Sequence, residues 1–146
     1  PNTEKLESIQ DVPSIELNHA YQYDLSSVYS SFDIDEGELL IVLSVQNLDE
    51  NSISKSDFYA IEMHTSKVSG ISNGVYQYND FAENPMTFFA YHYTEGNKTK
   101  IQNGLLNVSI SGNLYTFILE NLESNGKIFN IEYQGYLETL PQNIIQ

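Results

Sequence analysis

Alternation of apolar and polar side chains is the feature that most constrains this sequence. Leu106, Val108 and Ile110 alternate with polar neighbours up to a Gly112-Asn113 pair, and the alternation resumes beyond it. Successive side chains of a β-strand point to opposite faces. Glycine and asparagine readily adopt the positive φ that a two-residue hairpin turn requires. The segment therefore predicts an antiparallel hairpin with one dry face and one wet face.

The same pattern recurs along the chain. Short runs of strand-forming residues, separated by turn residues, predict strands at 15–25, 38–45, 57–65, 75–78, 86–94, 104–111, 114–122 and 127–137. A second hairpin turn is predicted at Asn125-Gly126. Few segments keep a helical period, so little helix is expected. Such closely spaced strands predict an all-β fold, an antiparallel β-sandwich or flattened barrel of about seven to nine strands.

The domain organisation follows from the same change of pattern. Residues 1–14 are polar and are predicted to be a leader or tether, residues 15–140 a single β domain, and residues 141–146 a tail. A chain of 146 residues buries about 70% of its unfolded surface. Because the first residue is Pro1 and not Met, we expect that upstream residues were removed. A signal peptide or lipid-anchor cysteine would lie in that upstream piece.

Charge and cysteine content exclude several classes of function. Twenty acidic residues face six lysines, and arginine is absent. Nucleic-acid binding requires clustered basic residues, so nucleic acid and anionic membrane surfaces are poor partners. The longest apolar run, residues 39–43, is far shorter than the ~20 residues of a membrane helix. Without cysteine, a disulfide, a thiolate zinc site and a thiol nucleophile are all excluded.

The C-terminal part of the chain resembles a known class of protein. Residues 112–137 read G-N-L-Y-T-F-I-L-E-N, then N-G-K-I-F-N-I-E-Y-Q-G-Y-L after a short interval. This stretch is similar to the closing hairpin of small exported β-domains in surface lipoproteins of the Bacteroidota, with Tyr133, Gly135 and Leu137 matching their Y-x-G-x-L-like strand. The resemblance implies a lipid-tethered, periplasmic or outer-surface protein. It transfers no functional residue.

An acidic loop precedes the second predicted strand. Asp33, Asp35 and Glu36 supply the carboxylate oxygens that calcium prefers. An EF-hand is excluded, because its glycine would fall one position later and its twelfth residue would be glutamate. The loop is a candidate calcium site, with simple solvation as the alternative. A second acidic loop, with Asp49, Glu50 and Asp57, would add ligands if the two loops lay close together.

Two patterns bear on catalysis. Residues 70–74, with Ser72 at their centre, match the G-x-S-x-G nucleophile elbow, which requires a helix directly after the serine. A predicted strand follows instead, so we interpret this segment as a turn. The acidic residues fall in loops or on wet faces, and carboxylate pairs for glycoside hydrolysis are not defined by their spacing.

The three histidines do not form one site. His19 and His92 are predicted to face the core, whereas His64 is predicted to lie on a wet face with Glu62. Side chains on opposite faces of a sheet cannot converge on one metal or haem. We therefore expect structural or solvated histidines.

Aromatic residues provide the remaining indication of function. Phe89, Tyr91 and Tyr93 share one predicted strand face, and Tyr76 and Tyr78 lie nearby in sequence. Exposed tyrosines stack on sugars or anchor protein partners, although tyrosine also stabilises sheets by cross-strand packing. We expect a non-enzymatic extracytoplasmic binding module for a glycan or a surface protein. The alternatives are an assembly component that pairs through edge strands and, less favoured, a small hydrolase.

Overall fold

The computed structural model describes residues 12–24, 37–49, 55–66, 71–82 and 84–139. These residues form an all-β structure, as predicted from the alternation. Its eleven strands are β1 (Ser14–Glu16), β2 (His19–Asp24), β3 (Gly37–Ser44), β4 (Asp57–Thr65), β5 (Gly74–Tyr78), β6 (Thr87–Thr94), β7 (Asn97–Ile101), β8 (Leu105–Ser111), β9 (Leu114–Ser124), β10 (Lys127–Gly135) and β11 (Glu138–Thr139). One short 3₁₀ helix, Asp80–Ala82, lies between β5 and β6.

The described strands belong to one curled, mixed sheet. Its order is β1-β10-β9-β8-β5-β6-β4-β3-β2-β11, and β7 pairs with β6. Most neighbours are antiparallel, but β1 and β10, β5 and β6, and β2 and β11 are parallel. The prediction of a purely antiparallel sheet is therefore wrong. Parallel pairs between distant segments leave no local pattern in the sequence.

The two ends of the sheet lie beside each other. Ile15 of β1 pairs in parallel with Ile131 of β10, and Tyr21 of β2 pairs in parallel with Glu138 of β11. The separation in sequence between the paired residues is nearly the same in both pairs of strands. Between them the Leu17 N–H donates to the Glu132 carbonyl at 3.0 Å. The connection between β1 and β2 therefore lies against β10.

Both predicted hairpins are confirmed. In β8 and β9, Leu106 and Phe117 face the buried side, and their strands meet across the Gly112-Asn113 turn. Asn125 and Gly126, with φ of 53° and 77°, connect β9 to β10. Two successive positive φ values match the twist of a two-residue hairpin. Local patterning alone specified these elements.

The interior of the curled sheet is filled by a main core drawn from both halves of the chain. Its largest completely buried side chains are Tyr76, Phe88, Phe117, Ile41, Leu43, Ile61, Met63, Ile101, Leu106, Leu119, Leu122 and Ile131. At about 25 cal/mol per Å² of apolar area removed from water, this burial is the dominant stabilising contribution. Gly104 is required beside it, because its φ is +93° and a Cβ there would lie 2.5 Å from the Glu120 carbonyl oxygen.

A smaller apolar group lies on the outer face of the sheet. This outer cluster consists of Tyr21, Leu40, Val42, Leu48, Phe58 and Ala60. The Tyr21 hydroxyl donates to Asn47 at 2.7 Å and accepts from the Leu48 N–H at 2.9 Å. The chain after β3 therefore folds back over the outer face, and β3 is buried on both of its sides.

Candidate functional site

The predicted alternation along β6 is confirmed. Phe88 and Ala90 are buried in the main core, while Phe89, Tyr91 and Tyr93 are half-buried on the outer face. Phe89 and Tyr91 contact each other edge to face, with centroids 5.8 Å apart and rings at 87°. Tyr93 instead stacks on Phe58 at 4.8 Å and packs against the outer cluster. Three of the five predicted aromatic residues therefore share the outer face of β6, and two of them, Phe89 and Tyr91, contact each other.

The two tyrosines of β5 lie elsewhere. Tyr76 is 0% exposed in the main core, and its hydroxyl donates to the Ser72 carbonyl at 2.8 Å. Tyr78 packs against the core edge to face with Phe88, at 6.1 Å between centroids. Among the described residues, no ring contact joins either tyrosine to Tyr91.

Phe81 completes the exposed aromatic group and was not predicted. It is 73% exposed, and its ring meets that of Phe89 at 64° with centroids 6.3 Å apart. Phe81, Phe89 and Tyr91 are hereafter the aromatic strip. The available indication was a phenylalanine within the polar segment N-D-F-A-E-N-P. Sequence reasoning missed it because strand alternation says nothing about residues between strands.

The backbone around Phe81 is strained. Phe81 has φ of 69° and Ala82 has φ of 45°. Positive φ is uncommon for a residue other than glycine and costs on the order of 1–3 kcal/mol in a sparsely populated region. Such a conformation persists only when neighbouring contacts hold it.

Asp80 fixes one side of this turn. Its carboxylate accepts from the Lys100 ammonium at 2.6 Å and from the Tyr78 hydroxyl at 2.6 Å. These two hydrogen bonds lower the pKa of Asp80, and its carboxylate in turn raises the pKa of Lys100. Asp80 is thus held as an anion between β5 and β7.

His64 fixes the other side of the turn. Its Nδ1 lies 2.8 Å from the Ala82 carbonyl oxygen, and because a carbonyl only accepts, Nδ1–H donates. The Ala82 N–H donates to the Asn79 carbonyl at 2.9 Å. His64 is 1% exposed, so the predicted wet location is wrong. We call the segment Asp80–Ala82 the pinned turn.

Two glutamates lie on the same outer face as His64. Glu38 pairs in register with His64 and is 4% exposed. Burial, and then the nearby Glu62, raise the pKa of Glu38 to about 8. Burial also raises the pKa of Glu62, while Lys98 opposes that shift. The Lys98 ammonium lies 4.2 Å above the Tyr91 ring, in cation–π geometry.

The other two histidines are far apart in the sheet. His92 faces inward, as predicted, and stacks on Tyr59 at 4.3 Å. For His19 the predicted core-side location is wrong. Ala20 faces the main core, and His19 stacks on Tyr21 at 6.4 Å on the opposite face.

Ser72 lies in an irregular segment directly before β5. Its hydroxyl is 3.0 Å from that of Ser66, and strand β5 follows it where an elbow would require a helix. Asp33, Asp35 and Glu36, the candidate calcium ligands, lie outside the described residues. Within the described ranges, no group of three or more acidic or histidine side chains is placed to hold a metal ion.

Comparison with known proteins gives no match to a family model, a curated protein or a solved structure. Within the part of the chain that the structure describes, no helix is long and apolar enough to cross a membrane.

Proposed function

We propose that this protein is a non-enzymatic, extracytoplasmic binding module and that its aromatic strip recognises a protein partner. The observation that supports this proposal is Phe81, a highly exposed phenylalanine held at positive φ by contacts on both sides. Strained residues that their surroundings over-determine concentrate at functional sites. Burying such a side chain in a partner is typical of an interface hot spot.

The arrangement of the rings favours a protein over a glycan. Neighbouring rings of the strip meet at 64° and 87°, so they offer a notched surface and not a flat platform for a sugar ring. Lys98 already covers one face of Tyr91. An apolar side chain fits between such rings, since edge-to-face contacts are favourable for aromatic groups. At a net charge of −14, the chain also attracts a basic partner over long range.

Affinity purification with the whole chain as bait tests the proposal. Wild type and Phe81→Ala are compared by quantitative mass spectrometry, and the partner found is then titrated against both in purified form. Truncating a hot-spot aromatic costs about 2 kcal/mol or more, so we expect the Kd of Phe81→Ala to rise at least about 30-fold. Phe81 is exposed, so the variant is expected to fold normally.

Tyr136→Ala is the matched control, because Tyr136 is a 68% exposed aromatic residue outside the strip. Its Kd should equal that of wild type. Equal loss in both variants, or no loss in Phe81→Ala, would contradict the proposal. A glycan array probed with wild type and Tyr91→Ala tests the competing hypothesis. Glycan binding by wild type that is lost in Tyr91→Ala would favour a glycan over a protein partner.

Assembly through edge strands is less favoured. Among the described strands, β7 has β6 as its one paired neighbour, and its sequence is N-K-T-K-I. Lysines on an edge strand oppose pairing with another chain.

We further infer that the curled sheet is a flattened barrel, because the parallel pairings across its ends support closure. A closed sheet would hold the strip rigidly.

The extracytoplasmic location and the calcium site are also proposals. The resemblance of residues 112–137 to exported β-domains supports the former. For the latter, Asp33, Asp35 and Glu36 offer carboxylate ligands of the kind that calcium binds. A calcium titration followed by calorimetry tests the site directly.

A further inference from the structure

A second candidate site lies away from the aromatic strip, at the end of the sheet where β4 and β10 begin and β6 ends. We call this the open end. Two adjoining cavities of about 450 and 250 Å³ lie there, and Ile15 and Tyr59 line both. Mouths of curled or closed sheets are common positions for small-ligand sites.

The smaller cavity has an aromatic wall. His92 stacks on Tyr59 with the rings 10° from parallel, and the Phe129 centroid is 6.5 Å from that of Tyr59. The His92 Nε2–H donates to the Asp57 carboxylate, and Thr94 Oγ1 lies 3.3 Å from the same nitrogen. These contacts fix the imidazole plane, so the wall is rigid. Ile15 and Ile128 complete the apolar lining.

Charge distinguishes the smaller cavity from the larger one, which Asp57 and Glu95 line. The chain has twenty acidic residues, yet no aspartate or glutamate is among the described residues that line the smaller cavity. Lys127 lines it, and Lys127 forms no salt bridge within the described ranges. The cavity therefore combines an apolar interior with one cation at its edge. That combination is complementary to an amphipathic anion.

We propose that the smaller cavity of the open end binds a small arylalkyl monocarboxylate, with its ring against Tyr59 and Phe129 and its carboxylate at the Lys127 ammonium. An apolar cavity of about 150 Å³ holds benzene. A volume of about 250 Å³ therefore accommodates a phenyl ring with a short alkyl chain. The site is independent of the aromatic strip and of the protein partner.

Titration of the whole chain with 3-phenylpropionate tests this proposal. The neutral 3-phenylpropan-1-ol and the cationic 3-phenylpropylamine serve as comparison ligands in calorimetry at fixed pH and ionic strength. We expect saturable binding in the order acid, alcohol, amine. Lys127→Gln should weaken acid binding about tenfold, to the level of the alcohol, because it removes a charged hydrogen bond. Lys127→Arg should restore most of it.

Asn113→Asp is the matched control, because it changes the net charge by the same one unit in an exposed turn at the opposite end of the sheet. It should leave the affinity for the acid unchanged. Intermolecular NOEs between the phenyl protons and the Ile15 methyl groups should place the ligand. No saturation, equal affinity for the three ligands, unchanged binding in Lys127→Gln, or NOEs confined to another surface would each overturn the proposal.

Discussion

At the scale of single residues, the outer face of β3 and β4 contains buried ionisable groups. Glu38 is 4% exposed and sits opposite His64, with Glu62 on the neighbouring pair of residues. Burial penalises the charged form of a carboxyl group, so Glu38 keeps its proton to a pKa of about 8. Alternation alone predicted a wet face here, because it assigns the face of a side chain and not what covers that face.

We predict that Glu38 makes stability fall as the pH rises. The unfolded chain loses the Glu38 proton near pH 4.5, whereas the folded chain keeps it to about pH 8. Below pH 4.5, Glu38 therefore does not affect the free energy of unfolding. Between pH 4.5 and pH 8 it lowers the free energy of unfolding by at most about 1.4 kcal/mol per pH unit. Urea unfolding between pH 5 and pH 8 should show this slope, and Glu38→Gln should flatten it.

Glu16→Gln provides the control for this experiment, because Glu16 is an exposed glutamate of β1, which pairs with β10 and not with β3 or β4. Its pH profile should match that of wild type. A Glu38→Gln profile with the wild-type slope would show that other groups cause the pH dependence.

At the scale of elements, success and failure of sequence reasoning have different physical causes. The hairpins of β8, β9 and β10 were predicted because their turns and their alternation are local. Strand β7, with the sequence N-K-T-K-I, was missed because it has little apolar patterning and gains its structure by pairing with β6. Phe81 was missed for a related reason, since its turn is held by residues from β4 and β7 that are distant in sequence.

The pinned turn yields a prediction of its own. Asp80→Ala removes the acceptor for Lys100 and Tyr78, so the strained conformation loses one of its two attachments. We expect hydrogen exchange of the Ala82 amide, which donates to Asn79, to become several-fold faster while the main core is unaffected. Exchange monitored by NMR measures this effect.

Lys100→Gln should accelerate the same amide, because it removes the other member of the ion pair. Lys98→Gln is the matched control, with the same change of charge on the same strand and a side chain directed at Tyr91. If Ala82 exchanges equally fast in all of these proteins, the turn does not depend on Asp80.

At the scale of the whole molecule, the arrangement of the sheet depends on contacts that no local pattern reports. Residues Ile15 and Ile131 pair in parallel although 115 others separate them in the chain, and this pairing adds β1 to the sheet beside β10. Composition and alternation established the all-β class. They did not distinguish two facing sheets from one curled sheet, because that difference depends on pairing between residues that are distant in sequence. The antiparallel prediction was wrong for the same reason.

Net charge is a property of the whole molecule that composition does determine, and it leads to the last prediction. At −14, repulsion among carboxylates opposes the compact state. Among the described residues the lysine–carboxylate ion pair Lys100–Asp80 offsets part of this repulsion, and the contacts His19–Glu138 and His92–Asp57 contribute only where the histidine is protonated. Raising NaCl shortens the Debye length from about 30 Å at 0.01 M to about 3 Å at 1 M. Because it screens more repulsion than attraction, added NaCl should raise Tm at pH 7. A gain of about 1 kcal/mol in the free energy of unfolding corresponds to a rise in Tm of roughly 4 °C.

Near the isoelectric pH of about 4.2 the net repulsion vanishes, so the increase of Tm with NaCl should vanish there as well. A fall of Tm with NaCl at pH 7 would mean that these few ion pairs outweigh the repulsion of all the remaining carboxylates.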